Sequence, residues 1–123
     1  MALQQTDQSL DLLNWMAVNL KIINTDAQLV PLRSNLAQLK VHNTLELQRK
    51  EGLPIRAVIC KARREGVSTY ISGRFFTKIN AEANRYACVT SADLDASNKL
   101  FSMIQLFQKH LPEQVRKETE YSS

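Results

Sequence analysis

The sequence predicts an α/β domain, with two helices leading into a strand–loop–helix–strand–helix unit whose two strands run parallel. Three observations carry this. Two short apolar, β-rich runs, Ile55–Cys60 and Tyr86–Thr90, read as buried strands. Each is followed by a polar stretch and then by apolar residues at helical spacing. Gly and Pro number only three each, which excludes a turn-rich all-β chain.

The elements follow in order. Leu10, Leu13, Ala17 and Leu20 recur at helical spacing, so a first helix is expected from Ser9 to Lys21, capped by Asp7 or Ser9. Asn24-Thr25-Asp26 breaks that pattern, and Pro31 forces Val30 out of the α region, so 29–32 is extended. A second helix starts at Asn35, whose spacing to Gln38 is that of a capping box, and ends near Glu51 before Gly52 and Pro54. After the strand at 55–60 comes the loop Lys61-Ala62-Arg63-Arg64-Glu65-Gly66-Val67-Ser68-Thr69. The third helix carries Ile71, Phe75 and Ile79 at i, i+4, i+8, and a turn is expected over 80–84. Tyr70 and Arg74 are placed on its outer face. The second strand, 86–90, leads through Ser91-Ala92-Asp93 into a fourth helix with Ala96, Leu100, Met103, Phe107 and Leu111 on one face, ended by Pro112. Trp15, Phe75, Phe76, Phe101 and Phe107 read as core residues. Segment 1–54 is thus a helical lead-in, and 55–123 holds the strand-loop-helix-strand-helix unit.

Hydrophobic residues make up 44% of the 123-residue chain and charged residues 23%, the balance of a globular domain rather than a disordered tail. No apolar run approaches the ~20 residues that span a bilayer. The first residues lack the basic patch and apolar stretch of a secretion signal, so an intracellular protein without membrane partners is expected. The formal charge of +4 is unevenly placed: residues 1–54 are neutral and residues 55–123 carry all of it. Cys60 and Cys88 lie inside the apolar runs and read as small buried residues in a reducing compartment. There is no Cys-x-x-Cys pair, and His42 and His110 lack neighbours at ligand spacing, so zinc is not expected.

The densest cationic cluster, Lys61, Arg63 and Arg64, falls in the loop between the first strand and the third helix. A phosphate-binding loop occupies this position and normally reads Gly-x-x-x-x-Gly-Lys-Ser/Thr. Its backbone N–H groups cradle phosphates, its Lys reaches the outer ones and its hydroxyl binds Mg²⁺. Gly66 and Ser68 match that pattern; Lys61 stands at the first Gly and Val67 at the Lys. Lysine at the loop's start and the planar forks of Arg63 and Arg64 supply the required cations by another route.

Lys-Ala-Arg-Arg-Glu-Gly-Val-Ser-Thr resembles the variant Walker A motif of the large terminase subunits of tailed bacteriophages. That motif often runs Lys-x-Arg-Gln-x-Gly-x-Ser-Thr; Arg64 stands here where Gln is common. Leu13-Asn14-Trp15, Leu29-Val30-Pro31-Leu32 and Asn35-Leu36-Ala37-Gln38 resemble the segment that precedes the motif. Arg56–Cys60 resembles its leading strand, and Cys88–Asp93 the next βα unit. The resemblance spans nearly the whole chain, with 56–69 its most specific stretch. It implies a P-loop NTPase fold and the ATP-binding part of a motor that packages double-stranded DNA into procapsids. The implied cofactors are ATP and Mg²⁺, the partners double-stranded DNA, a portal protein and a small terminase subunit, and the setting the bacterial host cytoplasm. Self-association is a further expectation.

By the same resemblance, Lys61 contacts the β- and γ-phosphates, and Gly66 and Val67 line the loop. Ser68 holds Mg²⁺, with Thr69 near the α-phosphate. Arg63, with Arg64 as second candidate, acts on the γ-phosphate, and Gln38 lies near the adenine. Gln38 therefore has two readings, adenine contact and helix cap. No apolar strand ending in Asp-Glu follows residue 91, so the Walker B element that hydrolysis requires is missing. The expectation is the first portion of a longer ATPase domain, binding nucleotide without hydrolysing it. Two alternatives stand: a non-catalytic nucleic-acid-binding or assembly module whose basic loop meets phosphate backbone, and a fragment of a helicase-like P-loop ATPase.

Overall fold

The computed structural model describes residues 12–62, 66–82 and 84–113. Helix α1 occupies 12–19. The chain then forms strands β1 (Lys21–Ile23) and β2 (Leu29–Pro31), followed by helices α2 (Leu36–Lys50), α3 (Val67–Ala81) and α4 (Leu94–Lys109).

The helices start where local chemistry dictates. Asn35 caps α2 with its side chain on the Gln38 N–H, while the Gln38 side chain returns to the Asn35 N–H, a complete capping box. Glu51 closes α2, and Gly52 follows it at φ 75°, the left-handed geometry that glycine adopts without strain. Asp93 caps α4 by accepting from the Ala96 N–H at 2.7 Å.

The sheet corrects the sequence expectation. It is a two-stranded antiparallel hairpin with Lys21 opposite Pro31, Ile22 opposite Val30 and Ile23 opposite Leu29. The first helix therefore stops at 19 rather than at Lys21. Asn24 organises the connecting loop, its Oδ1 accepting from the N–H groups of Asp26 and Gln28. The parallel pair expected at 55–60 and 86–90 is absent, and with it the P-loop NTPase-like βαβ unit. Both segments are irregular and exposed, with Val58 fully accessible and Tyr86 94% so. Cys60 and Cys88, expected to be buried, are exposed free thiols. The physical reason is that an apolar run becomes a strand only when another backbone completes its hydrogen bonds. Among the described residues no segment does so for either run.

The core is built by the helices and the hairpin's exit. Leu12, Met16, Leu20, Leu32, Leu45, Tyr70, Phe76, Phe107 and Leu111 form one buried cluster, to which each fully buried large apolar side chain contributes roughly 1.5–3 kcal/mol. It draws on residues from both 1–54 and 55–123. Helix α3 is central, packing on α2 and on α4, while α4 also packs on β1. It approaches the α1–hairpin layer through Gly73, where a Cβ would come within 2.9 Å of Leu32 Cδ2 and 3.4 Å of Leu20 Cδ1 and Met16 Sδ. The face of α3 that is buried differs from the one expected. Tyr70, Gly73, Arg74, Thr77 and Asn80 point inward, and Phe75 is 44% exposed. No helix among the described residues is long and apolar enough to cross a membrane.

Candidate functional site

Helix α3 opens from the basic loop through Gly66, its N-cap residue, at φ 75° and ψ 11°. Glycine is required there twice over. The left-handed geometry favours it, and a Cβ would lie 2.8 Å from Gln38 Nε2 and 3.3 Å from Asn35 Nδ2. Among the described residues no side chain caps this helix, and its first turn holds no acidic residue. Among the described residues the N–H groups of Val67, Ser68 and Thr69 have no partner, and they lie at the positive end of the helix dipole. Ser68 is exposed, Thr69 half-buried and Val67 buried.

Of the residues singled out from sequence, the structure brings Gln38 to this helix start. Gln38 is 4% exposed. Its Oε1 accepts from the Asn35 N–H at 2.9 Å and its Nε2 donates to the Gly66 carbonyl at 2.7 Å. The capping role is therefore present, and the side chain is also a strut between the starts of α2 and α3. Lys61 is exposed, with Nζ donating to the Ala62 carbonyl at 3.3 Å. Arg63 and Arg64 lie outside the described residues.

Below the Gln38–Gly66 contact lie two more polar rungs. His42 Nδ1 meets the Tyr70 hydroxyl at 2.7 Å, with the rings edge to face. The Arg74 guanidinium pairs with Glu46 at 2.8 Å. Gln38 and Gly66, His42 and Tyr70, and Glu46 and Arg74 are each 28 residues apart. A constant offset at four-residue steps means that α2 and α3 lie side by side in the same direction and in register, one rung per turn. Arg74 also donates to the Tyr70 hydroxyl at 3.0 Å, and Arg49 to Glu46 at 2.6 Å, so the lower rungs form one network.

The network sets its own protonation. Burial acts to raise the Glu46 pKa, but the hydrogen bonds and charges of Arg49 and Arg74 outweigh it and hold the carboxyl below its ordinary 4.5. Burial pushes the Tyr70 hydroxyl above 10.0, helped by the Glu46 charge and opposed by Arg74. Sequence reading missed this seam and placed Tyr70 and Arg74 on the outer face of α3; both are buried against α2. The available signal was polar and ionisable residues at 38, 42 and 46 facing 70 and 74 at the same four-residue step.

The donor set at the start of α3 suits an anion: backbone N–H groups without a partner among the described residues, no carboxylate in the first turn, and a preceding loop whose sequence holds three cations and one acid, Glu65. Among the described residues no group of three or more His, Cys, Asp or Glu side chains converges on a metal position. A divalent cation here would take Ser68 Oγ as its protein ligand and complete its shell with phosphate oxygens and water. Compared with known proteins, the chain matches no family model, no curated protein and no solved structure.

Proposed function

We propose that the chain binds the triphosphate of ATP, with Mg²⁺, at the amino end of α3, as the nucleotide-binding part of a DNA-packaging motor of the terminase type. The observation that supports it is the uncapped, acid-free start of a 15-residue helix, entered through left-handed Gly66 from a loop bearing Lys61, Arg63 and Arg64. Phosphate binding at a helix start draws on the loop and the helix and needs no parallel sheet.

In this reading the N–H groups of Val67, Ser68 and Thr69 hold phosphate oxygens, and the helix dipole favours their charge. Lys61 turns from the Ala62 carbonyl to the β- and γ-phosphates, and Arg63 and Arg64 neutralise the γ-phosphate. Ser68 holds Mg²⁺, which when bound neutralises and orients the β- and γ-phosphates. Binding, not hydrolysis, is the role assigned to these residues. The motor setting, with double-stranded DNA, portal protein and small terminase subunit as partners in the host cytoplasm, is what the resemblance of the 61–69 loop implies; the leading strand at 56–60 is not formed.

The test is a titration of a fluorescent ATP analogue, with and without Mg²⁺, against wild type and Lys61→Ala. Saturable, Mg²⁺-dependent binding that the variant weakens at least tenfold is expected, a difference of ~1.4 kcal/mol. Undiminished binding by the variant would remove Lys61 from the site. Salt-sensitive DNA binding without nucleotide binding would replace the proposal with a phosphate-backbone contact.

A further inference from the structure

We propose that the His42–Tyr70 rung is an acid-sensitive latch between α2 and α3: neutral His42 accepts the Tyr70 hydroxyl proton and holds the helices together, and protonation of His42 removes that acceptor and opens the rung. The proposal stands apart from nucleotide binding and uses only the seam.

The proton count around one hydroxyl sets the state of the imidazole. Tyr70 is fully buried, so its O–H does not reach bulk water. Its polar neighbours among the described residues are Arg74 Nη1 at 3.0 Å and His42 Nδ1 at 2.7 Å. A guanidinium only donates. The hydroxyl oxygen therefore accepts from Arg74, and its single proton goes to His42 Nδ1. Nδ1 is bare, and the neutral ring carries its proton on Nε2. Tyr70 stays protonated in neutral and acid solution, because burial pushes its pKa above 10.0.

Protonating His42 turns Nδ1 into a donor. Two donors then face one hydroxyl oxygen, and the buried hydroxyl proton loses its acceptor, an expensive state for a polar group away from water. Charge acts in the same direction. Among the described residues, Glu46 and Arg74 are the only buried charged side chains, and Arg49 joins them half-buried. Helix α1, the hairpin and α4 add none. The Glu46 carboxylate is already shared, Oε2 with Arg49 and Oε1 with Arg74. A charged His42 would be a third cation against that one carboxylate, bonded to the same hydroxyl as Arg74. The unfolded chain takes up this proton near pH 6.5 and the closed latch does not, so the closed form loses ground as pH falls below about 6.5. Glu46 titrates below 4.5, so the two effects occupy separate ranges of pH.

The experiment combines nitrogen NMR of the imidazoles in isotope-labelled protein, assigned with His110→Gln, and urea unfolding of wild type and His42→Asn between pH 8 and pH 5. Asn carries Oδ1 near the place of Nδ1, so it keeps an acceptor for Tyr70 and does not titrate. At pH 7 His42 is expected to show a bare Nδ1 and a protonated Nε2. Below pH 6.5 the wild-type folding constant is expected to fall by up to about tenfold per pH unit, and His42→Asn to lack that share. A proton on Nδ1 at pH 7, or equal slopes in the two proteins, would overturn the latch. Amide exchange of wild type at pH 7.5 and pH 5.5, corrected for intrinsic rates, locates the opening. Reduced protection in α2 and α3 is expected; full protection with a charged His42 ring would overturn the proposal even if His42→Asn does not fold.

Discussion

Glu46 is buried with a guanidinium on either hand, Arg49 at 2.6 Å and Arg74 at 2.8 Å. Its carboxyl is held below 4.5 in the folded chain, so the folded state binds this proton less readily than the unfolded chain does. Its stabilising contribution is complete above pH 4.5 and is lost as pH falls through the lowered value. Urea unfolding of wild type between pH 7 and pH 3 is expected to show that decline, and Glu46→Gln to lack its share of it. At pH 7 the same variant is expected to lose about 3 kcal/mol, because Arg74 is left buried without its counter-charge. An equal pH slope in both proteins would show that Glu46 carries no linkage. At this scale the sequence was partly legible. Asn35, Gln38, Glu51, Gly52 and Asp93 were readable as caps because a cap is local, made within three or four residues. Tyr70 and Arg74 were not, because an amphipathic residue is turned inward by a partner far along the chain, here His42 and Glu46.

Helix α3 shows how an element can be foreseen in place yet misread in its ends and its orientation. Its apolar i, i+4, i+8 row was legible, but the helix begins at Val67, inside the segment expected to be loop, and the row at 71, 75 and 79 is not the face most buried. The buried face runs through Tyr70, Gly73, Arg74 and Thr77, where a small residue allows close approach and polar residues find partners. Gly73 is the test of that packing. In an exposed helix Gly→Ala gains up to ~1 kcal/mol. At Gly73 the new methyl would press on Leu32 Cδ2 at 2.9 Å, and overpacking costs about 1–3 kcal/mol. Gly73→Ala is therefore expected to be no more stable than wild type, and Gly73→Val to be less stable by about 2 kcal/mol, read from chemical denaturation. A stabilised Gly73→Ala would mean that α3 sits farther from Leu32. The strands were the poorest reading for a related reason. Helical hydrogen bonds close within four residues, whereas strand hydrogen bonds depend on another segment. Composition made 55–60 and 86–90 good strand material but could not supply their neighbours, and the hairpin formed instead where Asn24 makes a turn.

For the molecule as a whole, the consequence is an uneven distribution of order. The core gathers around α3, while the two most strand-like runs lie at the surface with bare backbones. Hydrogen exchange should report the contrast directly. The amides of Val58, Ile59, Cys60, Ala87, Cys88 and Val89 have no hydrogen-bond partner among the described residues and are expected to exchange as in an unstructured peptide. Those of Gly73 and Thr77, inside α3, are expected to be protected. Slow exchange at 57–60 or 86–90 would mean that these runs find a partner backbone in solution, as the expectation of self-association requires.

The placement of Cys60 and Cys88 in those bare runs gives the chain a redox character that its interior does not share. Neither thiol is shielded by the fold, so an oxidant can reach both and link copies to one another. Covalent dimers formed in that way would imitate assembly through paired strands, and only a reductant separates the two.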